Sequence, residues 1–231
     1  MAAPEPLFSR LMQDPRIQIP FILLLVGFIV YALYLKLTDQ DPMERAEREL
    51  WERLAAEFGG RSKLGAWGTL PRLWVPLLDG KGEGLLAYQE TPSYGAAGAH
   101  RSENASVDTL FTVELIDAPY RVRVHESGLL DSLTALAGAQ DIIIGDGGFD
   151  GRFVVKSTKP DWAKGYLSDA EVRRLVMEVY ALDRGGRFLL EFDEDGMHLR
   201  VGGRVDGYPH IRAFALSCSA LFEAAVKARP A

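Results

Sequence analysis

Four groups of residues have types and spacings that suggest chemistry. Asp141, Asp146 and Asp150 flank the glycines of DIIIGDGGFDGRF. Acids beside glycines can hold calcium, but an EF-hand loop needs oxygen ligands at its first, third and fifth positions and a Glu at its twelfth. Counted from Asp146, the third position is Gly148 and the twelfth is Ser157, so the pattern fails and turn-forming aspartates explain it better. The second group is His125-Glu126 with Arg121 and Arg123; neighbours on a strand point to opposite faces, so His125 and Glu126 make no simple dyad. The third is His198 near Glu191 and Glu194, which reads as a cross-strand pair. The fourth, DGKGEG over Asp79–Gly84, lacks the Lys-Ser/Thr of a phosphate loop and leads into a strand, so it reads as a hairpin turn.

Other chemistries have less to stand on. Cys218 is the single cysteine, which excludes an intrachain disulfide, and it lies on an apolar helical stripe, as a small buried hydrophobe does. The four histidines are too far apart in sequence for an i, i+4 metal pair. No nucleophile elbow, zinc helix or dinucleotide fingerprint is present. The expectation is therefore no metal and no cofactor. His125 and Asp150 are the only catalytic candidates, with Asp146 beside them in an alternative ligand site.

The elements that must position these residues follow from periodicity. Asp41 caps a helix with Pro42 at its first position and Glu44 closing a capping box; Met43, Ala46, Leu50, Leu54 and Phe58 form its apolar face, and Gly59-Gly60 ends it. Leu73–Leu78 suggests a strand that Pro76 confines to an edge or bulge. Residues 91–106 lack periodicity and read as a loop. Val107 to His125 reads as a hairpin turning at Asp117-Ala118-Pro119, with Arg121, Arg123 and His125 opposite Thr112 and Glu114. Ser127–Gly138 suggests a short helix and Arg152–Ser157 a strand. Lys159–Trp162 reads as a connection, and Ser168 as the cap of a helix carrying Val172, Leu175, Val176 and Val179. A hairpin turning at Asp195-Gly196 and a final helix through Cys218 complete the chain.

Ile17 to Leu35, IQIPFILLLVGFIVYALYL, carries no formal charge. At about 1.5 Å of rise per residue it reaches roughly 28 Å, near the thickness of a bilayer core. It reads as an uncleaved, single-pass signal-anchor in a bacterial inner membrane, with the lipid bilayer as partner through Ile17–Leu35. The run is longer than a signal peptide's core, and no small-residue cleavage site follows. Lys and Arg counts near its ends lean slightly toward a cytoplasmic domain.

The formal charge is −6. Residues 1–37 hold three cations (Arg10, Arg16, Lys36) and two acids (Glu5, Asp14), so the remainder carries −7. An acidic body argues against nucleic acid as partner. The expected organisation is a tail over 1–16, a transmembrane helix over 17–37, a juxtamembrane helix over 38–60 and an α+β domain over 61–231. That domain is expected to be mainly antiparallel with packed helices, and its order of elements also fits two similar halves dividing near Gly147.

The segment from Gln140 to Val201 resembles uncharacterised bacterial membrane-anchored proteins with a domain of unknown function. The resemblance rests on a Phe-Asp-x-x-Phe-x-Val run, here Phe149, Asp150, Phe153 and Val155, followed by Leu167-Ser168 at a helix start. It implies a membrane tether and an α+β body and carries no catalytic residues. The sequence leaves two functions open. One is a non-enzymatic interaction or accessory module that binds a protein partner through a sheet face or the 91–106 loop. The other is an enzyme or small-ligand domain with a site near Asp146, Asp150 and His125.

Overall fold

The structure, a computed structural model, describes residues 15–38, 42–64, 70–91, 106–114, 121–127 and 140–228. The chain divides into two compact units, Met1–Glu49 and Leu50–Ala231. The first holds helix α1 (Pro15–Thr38) and the start of α2 (Pro42–Phe58).

The expectation of a membrane-spanning segment over 17–37 is overturned. Among the described residues no helix is long and apolar enough to cross a membrane. The single-pass and signal-anchor expectations are corrected with it. The tail over 1–14, the Asp41 cap, the 92–105 part of the expected loop, the Asp117–Pro119 turn and the helix expected after Ser127 lie outside the described residues.

The second unit is built on a nine-stranded sheet. Its strands are β1 (Arg61–Lys63), β2 (Arg72–Leu77), β3 (Gly82–Thr91), β4 (Ser106–Glu114) and β5 (Val122–Glu126). After them come β6 (Gln140–Ile142), β7 (Phe153–Ser157), β8 (Leu189–Phe192) and β9 (Gly196–Gly202). The order across the sheet is β1-β2-β3-β4-β9-β8-β5-β7-β6, and every pairing of these strands is antiparallel.

This order corrects two expectations. β4 and β5 do not form a hairpin: the β8–β9 hairpin is inserted between them, so β4 pairs with β9 and β5 with β8. Adjacency in sequence favours pairing only as a tendency, and here both strands take partners from the end of the chain. The two halves fail for the same reason. β5 and β6, from before Gly147, sit beside β7 and β8, from after it, so the sheet has no seam at that residue.

Local chemistry explains smaller differences. Pro76 is tolerated in β2 because the three-residue β1 pairs only with Arg72, Leu73 and Trp74, leaving Pro76 on a local edge. Lys159–Trp162 is not a connection: Pro160 opens helix α4 (Pro160–Ser168) at its first turn, and Trp162, Ala163, Tyr166 and Leu167 are its buried face. The cap of α5 (Ala170–Tyr180) is therefore Asp169, whose carboxylate accepts from the Glu171 amide at 2.8 Å. In the last hairpin Asp193 caps the Asp195 and Gly196 amides at 2.9 and 3.1 Å. Gly196 has a positive φ and Asp195 does not, so a primed turn at Asp195-Gly196 is not formed.

One face of the sheet is core. Leu73, Val75, Leu86, Phe111, Val113, Met197, Leu199, Leu190, Phe192, Val122, Val124 and Val155 alternate inward and are buried. The helices meet the sheet here. Trp51 of α2 packs edge-on against Tyr88 at 5.7 Å, Trp162 and Tyr166 against Phe192 at 5.6 and 5.5 Å, and Tyr180 against Phe153 at 5.1 Å. The long α6 (Tyr208–Lys227) lies on α4, where the Tyr166 hydroxyl donates to the Leu221 carbonyl at 2.9 Å.

Candidate functional site

The candidates from sequence are not brought together. The Asp150 carboxylate accepts from the amides of Ile144 and Gly145 at 3.0 and 2.7 Å. One Asp146 oxygen accepts from Gly148 and Phe149 at 3.0 and 3.2 Å, capping the single turn α3 (Gly147–Asp150). Its other oxygen accepts from Arg173 Nε at 3.0 Å. The Phe149 amide is the largest influence holding the Asp146 carboxyl below its usual range, with the Gly148 amide and Arg173 acting the same way. Each carboxylate thus fixes backbone. A cavity of about 380 Å³ opens beside Asp146, bordered by Phe149, Arg152, Arg173, Arg174 and Met177. Arg173 is engaged by Asp146, and Arg174 by Glu171 and Glu178.

His125 lies on the other side of the sheet. Val124 and Glu126 project to the helical face, where Glu126 accepts from the Tyr180 hydroxyl at 2.6 Å; alternation sends His125 the opposite way. Its Nδ1 is 3.0 Å from the Glu126 carbonyl oxygen, which can only accept, so Nδ1 carries the proton. His125 is 4% exposed, and its Nε2 is buried without a hydrogen-bond partner. His198 sits on the same face, 3.5 Å from an Asp193 oxygen.

These histidines belong to a larger surface. The register runs one residue from each strand straight across the face that is helix-free among the described residues. In order these are Asp141, Lys156, Arg123, Glu191, His198, Thr112, Leu85, Trp74 and Arg61. The row begins with charge: Lys156 is 3.6 Å from Asp141, and Arg123 reaches Glu191 through Nε at 3.1 Å and Nη2 at 2.6 Å. It ends apolar, with half-buried Leu85 beside Trp74 and the Arg61 guanidinium 5.0 Å from the Trp74 ring. The next row carries Val154, His125, Leu189, Arg200, Leu110, Ala87 and Arg72. None of the described helices that meet the sheet through aromatic side chains does so on this face.

Sequence reasoning singled out His125 and His198 but missed Arg200, Arg187 and Asp108. The signal existed in MHLRVGG, where strict alternation sets His198 and Arg200 together, opposite Met197, Leu199 and Val201. Asp108 gave a weaker one, as an acid inside an apolar strand. Joining β5 to β4 sets Arg123 against Thr112 and Glu114, whereas its neighbours are Glu191 and Lys156.

No family model and no curated protein matches the chain. Among solved structures it is similar to the mycobacterial trehalose monomycolate transport factor A, at 11% identity, with 79% of this chain and 97% of that chain covered and a TM-score of 0.44. A likeness at that level carries no argument about function.

Proposed function

We propose that the chain is a non-enzymatic interaction or accessory module that docks a protein partner on the helix-free face of its sheet. The observation that carries this reading is the pair of cross-strand rows, one over nine strands and the other over seven, in which apolar and ionic side chains share one face. Half-buried Trp74, Leu85, Leu110, Leu189 and Val154 lie on this face outside the core, a composition suited to a protein contact with an apolar centre and polar rim. The competing reading, a catalytic or small-ligand site at Asp146, Asp150 and His125, has less support. The two carboxylates are engaged by backbone amides, and His125 projects from the opposite side of the sheet.

The test is site-specific photo-crosslinking of the full chain in its own cells. A crosslinker at position 112 or 85 of the face is expected to yield one discrete protein adduct, whereas one at position 174, on exposed α5, yields none. The adduct is expected to disappear with Leu85→Arg in a chain crosslinked at position 112. No adduct from the face, or the same adduct from position 174, overturns the proposal.

A further inference from the structure

The centre of this face holds an arginine with an unpartnered buried nitrogen. Arg200 is paired in register with Leu189 on one side and Leu110 on the other, and all three are half-buried. Its Nε is buried with no acceptor. Two carboxylates on this face of the flanking strands are already engaged. Asp108 is held by Arg187 at 2.5 Å, and Glu191 by Arg123 at 2.6 Å. Burying the Nε–H donor without an acceptor is unfavourable. The unit therefore keeps a cost here that a ligand of opposite charge removes.

A second unpartnered nitrogen lies in the same row, and with Nδ1 protonated it is an acceptor, so it takes no part in recognising a carboxylate. In the same cross-strand row, beyond Leu189, His125 is nine-tenths buried with its Nε2 unpartnered. With strands about 4.8 Å apart, His125 and Arg200 stand roughly 10 Å from each other with Leu189 between. One unsatisfied donor, Arg200 Nε, and one unsatisfied acceptor, His125 Nε2, thus flank Leu189 on this face.

Resting on the docking surface proposed above, we infer that the partner presents an acidic side chain, Asp or Glu flanked by apolar residues, to Arg200 between Leu110 and Leu189. A carboxylate matches the guanidinium fork bidentately, and Leu110 and Leu189 supply apolar walls that strengthen the pair by excluding water. A lysine or glutamine in the partner's place leaves the arginine repelled or weakly bonded.

The probe is acetyl-Leu-Glu-Leu-Glu-Leu-amide, titrated into the full chain while the Arg200 Nε–H resonance is followed by NMR, with the Gln counterpart as control. The Glu peptide is expected to shift that resonance and to bind about tenfold more tightly than the Gln peptide. Arg200→Met, which keeps the apolar stem, is expected to abolish this preference, and Arg200→Lys to retain part of it. Thermal melts confirm that each variant folds; if Arg200→Met does not, the wild-type comparison of the two peptides decides alone. No shift with the Glu peptide, equal binding of both peptides, or a preference that survives Arg200→Met overturns the inference. The two proposals separate cleanly. An adduct from position 112 that persists in Arg200→Met leaves the docking face standing and removes only the carboxylate, whereas loss of the adduct in the wild type removes the face itself.

Discussion

Gly84→Ala is a sharp probe of the sheet's interior. Gly84 lies in β3 between Val75 and Val113 in register, and the Phe111 ring covers it. A Cβ at Gly84 would lie 2.4 Å from Phe111 Cζ and 3.0 and 3.2 Å from the two Cε atoms. Ordinary carbon contacts are about 3.5–4.0 Å, so the ring must retreat by more than about 1 Å. Phe111 is fully buried and has little room to move. Overpacking of this kind costs about 1–3 kcal/mol, and the depth of the overlap places Gly84→Ala near the upper end. At about 2–4 °C per kcal/mol for a domain of this size, the midpoint is expected to fall by about 6–12 °C. Phe111→Leu removes the ring edge at its own cost. In that background Gly84→Ala should cost less than about 1 kcal/mol, leaving a coupling of about 2 kcal/mol. Calorimetry and urea melts of the four proteins measure the cycle. An unchanged midpoint in Gly84→Ala, or an equal cost in both backgrounds, refutes the packing argument.

Three further outcomes are expected. Asp150→Ala removes two charge-assisted bonds to Ile144 and Gly145 and should cost about 2 kcal/mol; Asp150→Asn keeps one acceptor and should recover no more than half, as read by urea melts. Asp146 has its folded pKa lowered from the usual 3.8, so its contribution is full above that value and is lost as pH falls through the lower folded one. Thermal melts between about pH 5 and 3 should therefore fall less steeply in Asp146→Asn than in the wild type, and equal slopes contradict the assignment. Burial pushes the Cys218 thiol well above its usual value, so a thiol reagent at neutral pH should label it only after unfolding; rapid labelling of the native chain contradicts the buried placement.

Much of the fold was legible where one local rule decides. The apolar faces of α5 and α6, the alternation in β5 and β9, and the glycine turn between β2 and β3 all follow from periodicity and turn chemistry. Strand partners did not, because Arg123 beside Thr112 and Arg123 beside Glu191 are equally reasonable as local pairs. Only the long-range register distinguishes them. Helix α4 was hidden by its brevity and by a proline that reads as a breaker until it is placed in a first turn. The helix-free face was legible as alternation but not as a surface, since its rows form only when nine strands lie side by side.

The strand order carries a consequence for how the chain assembles. β4 and β5 are edges until residues 189–202 are made, because only the β8–β9 hairpin joins them. During synthesis the chain therefore carries two incomplete sheet fragments with open hydrogen-bonding edges, each a template for wrong pairing. Closure depends on contacts between segments far apart in sequence, which slows the productive step relative to any local hairpin. The last hairpin thus acts as a keystone. A chain stopped before Leu189 is left with two sticky half-sheets in place of a smaller folded domain.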